Sequence, residues 1–327
     1  MTDSRTGSND FQFIIMNKFS VLLASALLTC GCVSSIYETD TTGQKEEPAV
    51  SSLPVFKAGF EDMSTKTYVD GNNHLHWTSD DRLTIFHANT SNVQYRFCGN
   101  TGDNSGSFDP VDGSYPDGET IGANYAVFPY SSTTSINRDG VIILTLPSKE
   151  SYGENSFGVN ANTMVAVTEN TSDFFLPFKN VCGYIVFKLY GIGTIASITL
   201  SGNEGEKLAG KATVAAAYGE APSTVLDESN CTDTILLDCG EGITIGDSTE
   251  TATTFWFVVP QVTFSKGFSI LVTDTNGATA NFKTLKERVI TRNSLTRMAA
   301  LSVDFSTTPP AFNSNGIDAL DESDFEW

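Results

Sequence analysis

Asp139-Gly140-Val141-Ile142-Ile143-Leu144-Thr145-Leu146-Pro147 is the stretch on which the fold turns. Asp-Gly tolerates the positive φ of a tight turn. The six residues after it are mostly apolar and β-branched, a run too short for an ordinary helix and suited to a strand. Proline then ends the run, where its missing N–H costs least. The same grammar extends in both directions. Residues 83–86, 125–128 and 164–167 read as strands, and Pro129 closes the second of them. Asp70-Gly71, Asp112-Gly113 and Asp117-Gly118 read as turns. Downstream, strands are expected over 184–190, 195–200, 234–237, 255–259, 268–272 and 301–305, with a hairpin at Asp274-Thr275-Asn276-Gly277. Residues 212–218 are rich in small side chains and fit either a helix turn or an inner strand. Short strands at close intervals, with no repeat of fixed period, indicate an all-β chain of two tandem β-sandwiches. The expected boundary lies near Asp173, giving an N-terminal sandwich over 55–173 and a C-terminal one over 174–305.

Composition supports two packed bodies and narrows their partners. The chain has 327 residues, 40% hydrophobic and 11% aromatic, enough for substantial cores. Acidic residues outnumber basic ones 39 to 19, for a net charge of −20. A nucleic-acid partner needs a basic footprint, and anionic lipid headgroups also attract basic surfaces, so the charge argues against the first and disfavours the second.

The N-terminal stretch is the most informative about location. Residues 21–28 are an apolar run behind Lys18, too short to span a bilayer and suited to a secretion signal. Leu28-Thr29-Cys30-Gly31-Cys32 follows, with a small residue before a cysteine, as in a bacterial lipobox. Cys32 is the expected acylation site and Cys30 the alternative. Residues 1–15 fit no signal grammar, so Met16 is the expected start. Residues 1–31 are then a mis-extended start plus a lipoprotein signal peptide, and 32–54 a flexible tether. Each buried acyl methylene contributes about 0.8 kcal/mol to membrane attachment, through palmitate or similar chains.

Cys98, Cys182, Cys231 and Cys239 allow three disulfide pairings, which spacing does not choose among. Cys231 and Cys239 are near enough to bridge a short hairpin, and free buried thiols are equally credible.

Chemistry is sparse. His74 and His76 would share one strand face, but no third ligand stands at a metal-binding spacing, so no metal is expected. Gly191-Ile192-Gly193 follows a strand with no helix after it, which does not support a dinucleotide site. Asp103-Asn104-Ser105-Gly106 with Asp109 offers calcium-type oxygens without EF-hand spacing, and a plain turn is the favoured reading. No nucleophile elbow, His-Glu-x-x-His or phosphate loop occurs. An enzyme and a cofactor are therefore not expected. Trp77 and Trp256 are expected in cores.

Several motifs in order resemble the fimbrillin family of Bacteroidales surface lipoproteins. They are the lipobox at Cys32, Thr65-Lys66-Thr67, the turn at Asp70-Gly71 and Trp77-Thr78-Ser79-Asp80-Asp81-Arg82-Leu83-Thr84-Ile85-Phe86. Tyr125-Ala126-Val127-Phe128-Pro129-Tyr130, Phe178-Lys179-Asn180-Val181-Cys182-Gly183, Ile198-Thr199-Leu200-Ser201-Gly202 and Leu208-Ala209-Gly210 continue the series. The resemblance implies two transthyretin-like sandwiches, no catalysis, and a place on the outer membrane as a structural pilus (fimbria) subunit or adhesin. It also implies assembly with other pilus subunits by donor-strand exchange, after a protease trims the first strand behind a basic residue. Between Cys32 and Arg82 the basic residues are Lys45, Lys57 and Lys66, with no Arg, so these lysines are the candidate processing sites. The tail over 306–327 is a candidate donor strand; packing on its own domain is the competing reading. Asp-Ser/Thr patterns place candidate O-glycosylation at Thr41, Thr234 and Ser248. A host or bacterial surface ligand is the further expected partner. The alternative function is a surface glycan-binding lipoprotein of a nutrient-uptake system.

Overall fold

The computed structural model of the protein describes residues 52–60 and 75–318. Cys30, Cys32, Thr41, Lys45, Lys66 and His74 lie outside them, as do the turn at Asp70-Gly71 and residues 319–327 of the tail. The described residues fall within one compact unit.

The chain first lays down β1 (Phe56–Phe60), β2 (Arg82–Phe86), β3 (Val93–Phe97), β4 (Ser105–Pro110) and β5 (Tyr125–Phe128). It then makes an excursion through β6 (Ser135–Ile136), β7 (Val141–Leu146), β8 (Lys149–Gly153) and β9 (Ser156–Phe157). It returns with β10 (Met164–Val167) and β11 (Phe175–Asn180). Without the excursion strands, these form a closed seven-stranded barrel in the order β1-β11-β10-β5-β2-β3-β4. Closure removes the free edges that invite aggregation.

The rest of the chain supplies β12 (Cys182–Ile192), β13 (Thr194–Gly202), β14 (Ala209–Ala215), β15 (Ser223–Thr232), β16 (Thr234–Thr244) and β17 (Thr253–Pro260). After them come β18 (Val262–Phe264), β19 (Phe268–Asp274), β20 (Thr279–Lys283), β21 (Arg288–Ile290), β22 (Leu295–Arg297), β23 (Leu301–Asp304) and β24 (Ala311–Asn313). The sheets run β17-β12-β23-β24 with β22 also on β12, β20-β19-β13-β16-β8-β9, β15-β14-β7-β6, and β18-β21. The protein is all-β, as its turn and strand pattern indicates.

Pairing does not respect a cut at Asp173. β1 pairs with β11, β7 with β14, and β8 with β16, all across that position. The physical division is the barrel against everything else, with the excursion strands belonging to the later sheets. The hydrophobic period of a strand reports which face is buried, not which distant strand covers it.

Three apolar clusters hold the fold. One fills the barrel, with Phe56, Leu83, Tyr95, Phe108, Leu176 and Phe178 pointing inward. A second lies between the sheets of β12/β17 and β13/β19, around Ile185, Phe187, Phe255, Phe257, Ile198 and Phe268. The third joins outward barrel residues, such as Phe86, Val127 and Val165, to Ile142 and Val214 and to the other face of β12 and β17. A chain of buried amides reinforces this junction. Asn162 Nδ2 donates to Asn180 Oδ1 at 2.8 Å, Asn180 Nδ2 to Asn293 Oδ1 at 2.7 Å, and Tyr184 Oη to Asn162 Oδ1 at 2.9 Å.

Several local expectations resolve. Residues 209–215 are a strand, with the chain turning at 216–219. Asp274 accepts the backbone N–H groups of Asn276 and Ala278 at 2.9 and 2.7 Å and so builds the expected hairpin between β19 and β20. Gly191 and Gly193 serve the β12–β13 turn. Gly191 has φ +125°, and a Cβ there would meet the Val303 carbonyl oxygen at 2.0 Å. Cys98, Cys182, Cys231 and Cys239 form no disulfide with one another. The strands carrying Cys231 and Cys239 pair with different partners, β14 and β13, so no hairpin brings the two together.

Candidate functional site

The strand that closes the barrel is the most unusual element. β1 does not pair with β2, the next strand in sequence. It runs parallel to β11, from Lys57 opposite Phe175 to Phe60 opposite Phe178. On its other side it is antiparallel to β4, from Phe56 opposite Phe108 to Gly59 opposite Ser105. Its side chains alternate as a half-buried strand requires: Phe56 and Ala58 are fully buried and Lys57 is exposed. Phe60 stacks on Trp77 with ring centroids 4.5 Å apart. Burying a residue such as Phe56 stabilises by roughly 1.5–3 kcal/mol. Backbone bonds on both edges and apolar side chains into one core are the contacts that an inserted strand makes in β-augmentation.

Of the candidate processing lysines, Lys57 is the one within the described residues. Its side chain is exposed, but its peptide N–H donates to the Phe174 carbonyl at 2.8 Å and its strand is paired on both sides. A protease needs an unpaired extended segment, so a cut at Lys57 requires β1 to peel away first. The candidate O-glycosylation residues Thr234 and Ser248 are both half-buried. Thr234 opens β16, and Ser248 sits in a turn with its hydroxyl 3.2 Å from that of Thr251.

The described part of the tail folds back on its own chain. β24 pairs antiparallel with β23, matching Ser302 to Asn313 and Asp304 to Ala311. Phe312 packs against Phe282, and Ile317 is buried in the core. Asp318 accepts the Thr284 hydroxyl at 2.5 Å through Oδ1, and its carbonyl receives Arg288 Nη2 at 3.0 Å. β24 is an edge strand of its sheet.

A cleft of about 280 Å³ opens beside the end of β1, lined by Phe60, Trp77, Asp81, Phe128, Phe157 and Asn160 among others. Burial raises the Asp81 carboxyl above its usual range, opposed by the hydrogen bond it accepts from the Thr78 N–H at 2.8 Å. Trp77 is buried as expected but precedes β2 rather than lying on a strand, and its indole N–H has no hydrogen-bond partner among the described residues. His76 lines the same cleft.

Asp103 and Asp109 are engaged separately, one accepting the Asn100 N–H at 2.8 Å and the other the Cys98 thiol at 3.2 Å. Among the described residues, no group of three or more His, Cys, Asp or Glu is placed to hold a metal.

One ionisable group lies deep in the junction. Glu150 on β8 is buried and accepts the Val258 N–H at 3.1 Å through Oε2, while Oε1 has no hydrogen-bond partner among the described residues. Burial pushes its carboxyl well above the usual range. The nearby Cys182 thiol is likewise pushed up by burial, and Cys239 is raised to about 12 for the same reason. Neither is a reactive thiolate.

No protein-family model and no curated protein matches the chain. Solved structures of adhesion and fimbrial proteins from Bacteroidales are similar to it. A "putative cell adhesion protein" from Bacteroides ovatus has a TM-score of 0.45 at 13% identity, covering 79% of this chain and 94% of that one. Another so described, from Bacteroides uniformis, scores 0.39 at 14% identity over 79% and 96%. The tip fimbrial protein Mfa3 from Porphyromonas gingivalis, with a C-terminal truncation, scores 0.32 at 8% identity over 80% and 98%. These scores fix neither fold nor function, which rest on the residues and geometry above.

Proposed function

We propose that the chain is a fimbrillin-like cell-surface lipoprotein, a structural pilus subunit or adhesin that assembles by β-strand addition. The observation that carries this reading is β1, a five-residue strand that closes a barrel through long-range pairing and fills its core with alternate side chains. The ordered motifs from Thr65 to Gly210 that resemble fimbrillins support it. In this reading each body is transthyretin-like in descent, Cys32 (or Cys30) carries the acyl chains that hold the protein in the outer membrane, and residues up to β1 form its tether. Processing falls at Lys45 or Lys66, or at Lys57 once β1 has opened. A cut after Lys45 leaves β1 in place, whereas one after Lys57 or Lys66 severs it from the barrel; the slot it vacates then takes a strand from a neighbouring subunit, for which the tail from Ser306 is the candidate donor. Thr41, Thr234 and Ser248 are the candidate O-glycosylation sites; access needs the start of β16 to loosen at Thr234 and the turn to open at Ser248.

Mass spectrometry of the mature N-terminus, on protein released from intact cells, tests the reading. An acylated Cys32 on some molecules, with a terminus just after Lys45, Lys57 or Lys66 on assembled ones, is the expected result. Assembled material that retains residues 33–66 throughout would count against strand exchange.

A further inference from the structure

Beside β1, a histidine is held in one tautomer between two exposed rings. His87 directly follows β2, and its Nδ1 lies 2.7 Å from Oδ1 of the fully buried Asn124. The Asn124 amide cannot be turned over. Its Nδ2 donates to the carbonyl oxygens of Asn170, Thr171 and Asp173 at 3.4, 3.2 and 2.8 Å, and its Oδ1 also accepts the Ala88 N–H at 3.1 Å. An amide oxygen only accepts, so Nδ1 carries the imidazole proton and Nε2 of the neutral ring is a bare acceptor. Nε2 has no hydrogen-bond partner among the described residues.

Aromatic rings surround the imidazole that carries this acceptor. Phe56, fully buried, lies beneath it with centroids 5.7 Å apart. Tyr115 stands at 5.6 Å and 74° to the imidazole, and Phe174 at 6.0 Å and 58°. Both outer rings are about two-fifths exposed, at 40% and 41%. Tyr115 reaches in from a loop and is fixed by its hydroxyl, which donates to the His87 carbonyl at 3.1 Å. The result is two partly exposed apolar rings beside an imidazole with a single acceptor, on a protein whose net charge of −20 repels anions.

We infer that Tyr115, His87 and Phe174 form a binding platform for a neutral pyranose. The C–H face of the sugar packs on the two rings while one of its hydroxyls donates to His87 Nε2. A ligand for this site needs both an apolar face and a hydrogen-bond donor, which a neutral sugar has. A quaternary ammonium lacks the donor, and a sulfated or carboxylated sugar meets the acidic surface. The inference rests on the adhesin reading, for which it supplies the ligand class. Because Phe56 belongs to β1, the platform is complete only while a strand fills the β1 slot.

Saturation-transfer NMR on the uncut chain, with methyl β-D-galactopyranoside and methyl β-D-glucopyranoside at millimolar concentration, is the test. Irradiation of aromatic protons should transfer to the ring C–H protons of at least one glycoside. His87→Phe, which keeps the ring contacts and removes the acceptor, and Tyr115→Ala, on an exposed loop, should each cut the transfer by roughly fivefold or more. No transfer from the wild-type chain to either glycoside overturns the inference. Equal transfer in wild type and both variants also overturns it, since binding then lies elsewhere, as in the cleft beside Trp77. Circular dichroism confirms that each variant is folded. Assembly assayed on the same variants separates the two claims: His87→Phe that assembles but binds no sugar leaves strand exchange intact, and the reverse pattern leaves the platform intact.

Discussion

β1 and the β12–β17 pair are both buried strands, yet they are buried in different ways. β1 has five residues, and those that face the core do so from one side. β12 has eleven residues and pairs with β17 over eight positions, from Cys182 opposite Pro260 to Leu189 opposite Thr253. Ile185, Phe187, Phe255 and Phe257 face one core, and Tyr184, Val186, Trp256 and Val258 face another. A strand covered on both faces cannot leave without opening two cores. A five-residue strand covered on one face can leave by opening a single core. On the proposed reading, the comparison separates the strand that would be exchanged from the part that would have to stay folded meanwhile.

The comparison breaks most readily at the central pair. Phe257→Ala removes a fully buried ring from the inter-sheet core and should cost about 3–5 kcal/mol. Urea denaturation should show the whole described unit losing stability together. Phe56→Ala should cost about 3 kcal/mol, but with a different footprint. Amide exchange should rise across β1, β4 and β11 while β12 and β17 keep their protection. If both regions lose protection equally, the barrel and the later sheets are one cooperative body and the contrast fails.

Glu150 sharpens the comparison through pH. Its carboxyl is held protonated in the fold more strongly than in the unfolded chain, because burial disfavours the anion. That contribution is fully present below the ordinary glutamate range and is lost as pH rises from there towards the folded value. Glu150→Gln keeps an acceptor for the Val258 N–H and carries no charge. It should therefore flatten this part of the pH dependence and raise stability at pH 8 by on the order of 1 kcal/mol, read as a shift in thermal midpoint. A pH profile unchanged by the substitution would contradict the assignment. Lys57→Ala should have the smallest effect, within about 0.5 kcal/mol, since the side chain is exposed.

Much of this was legible in the sequence, and the rest was not, for physical reasons. Residues 125–128, 141–146 and 164–167 form strands with the bounds their apolar runs give them. The continuous apolar runs near 184–189 and 255–259 also marked strands, and their lack of alternation was the trace of burial on both faces. β15 left no such trace, because its ten residues are largely polar and exposed at a sheet edge. The barrel was invisible for another reason: β1 finds β11 across more than a hundred residues, and periodicity carries no information about partners. The candidate sites divide in the same way. Lys57 was found because a lysine is visible in a sequence, whereas its pairing on both edges was not. The platform at His87 draws on Phe56, Tyr115, Asn124 and Phe174, four positions that no spacing connects.

The most direct test of the central claim is replacement of β1. The intact chain would be cut between β1 and β2 with a lysine-specific protease, at Lys66, and then mixed with an excess of isotope-labelled peptide spanning residues 52–60. Native mass spectrometry would follow the bound strand. The account predicts that the labelled strand replaces the original one while the remaining chain stays folded. A cut chain that unfolds, or one that never releases its first strand even in large excess of peptide, would contradict it.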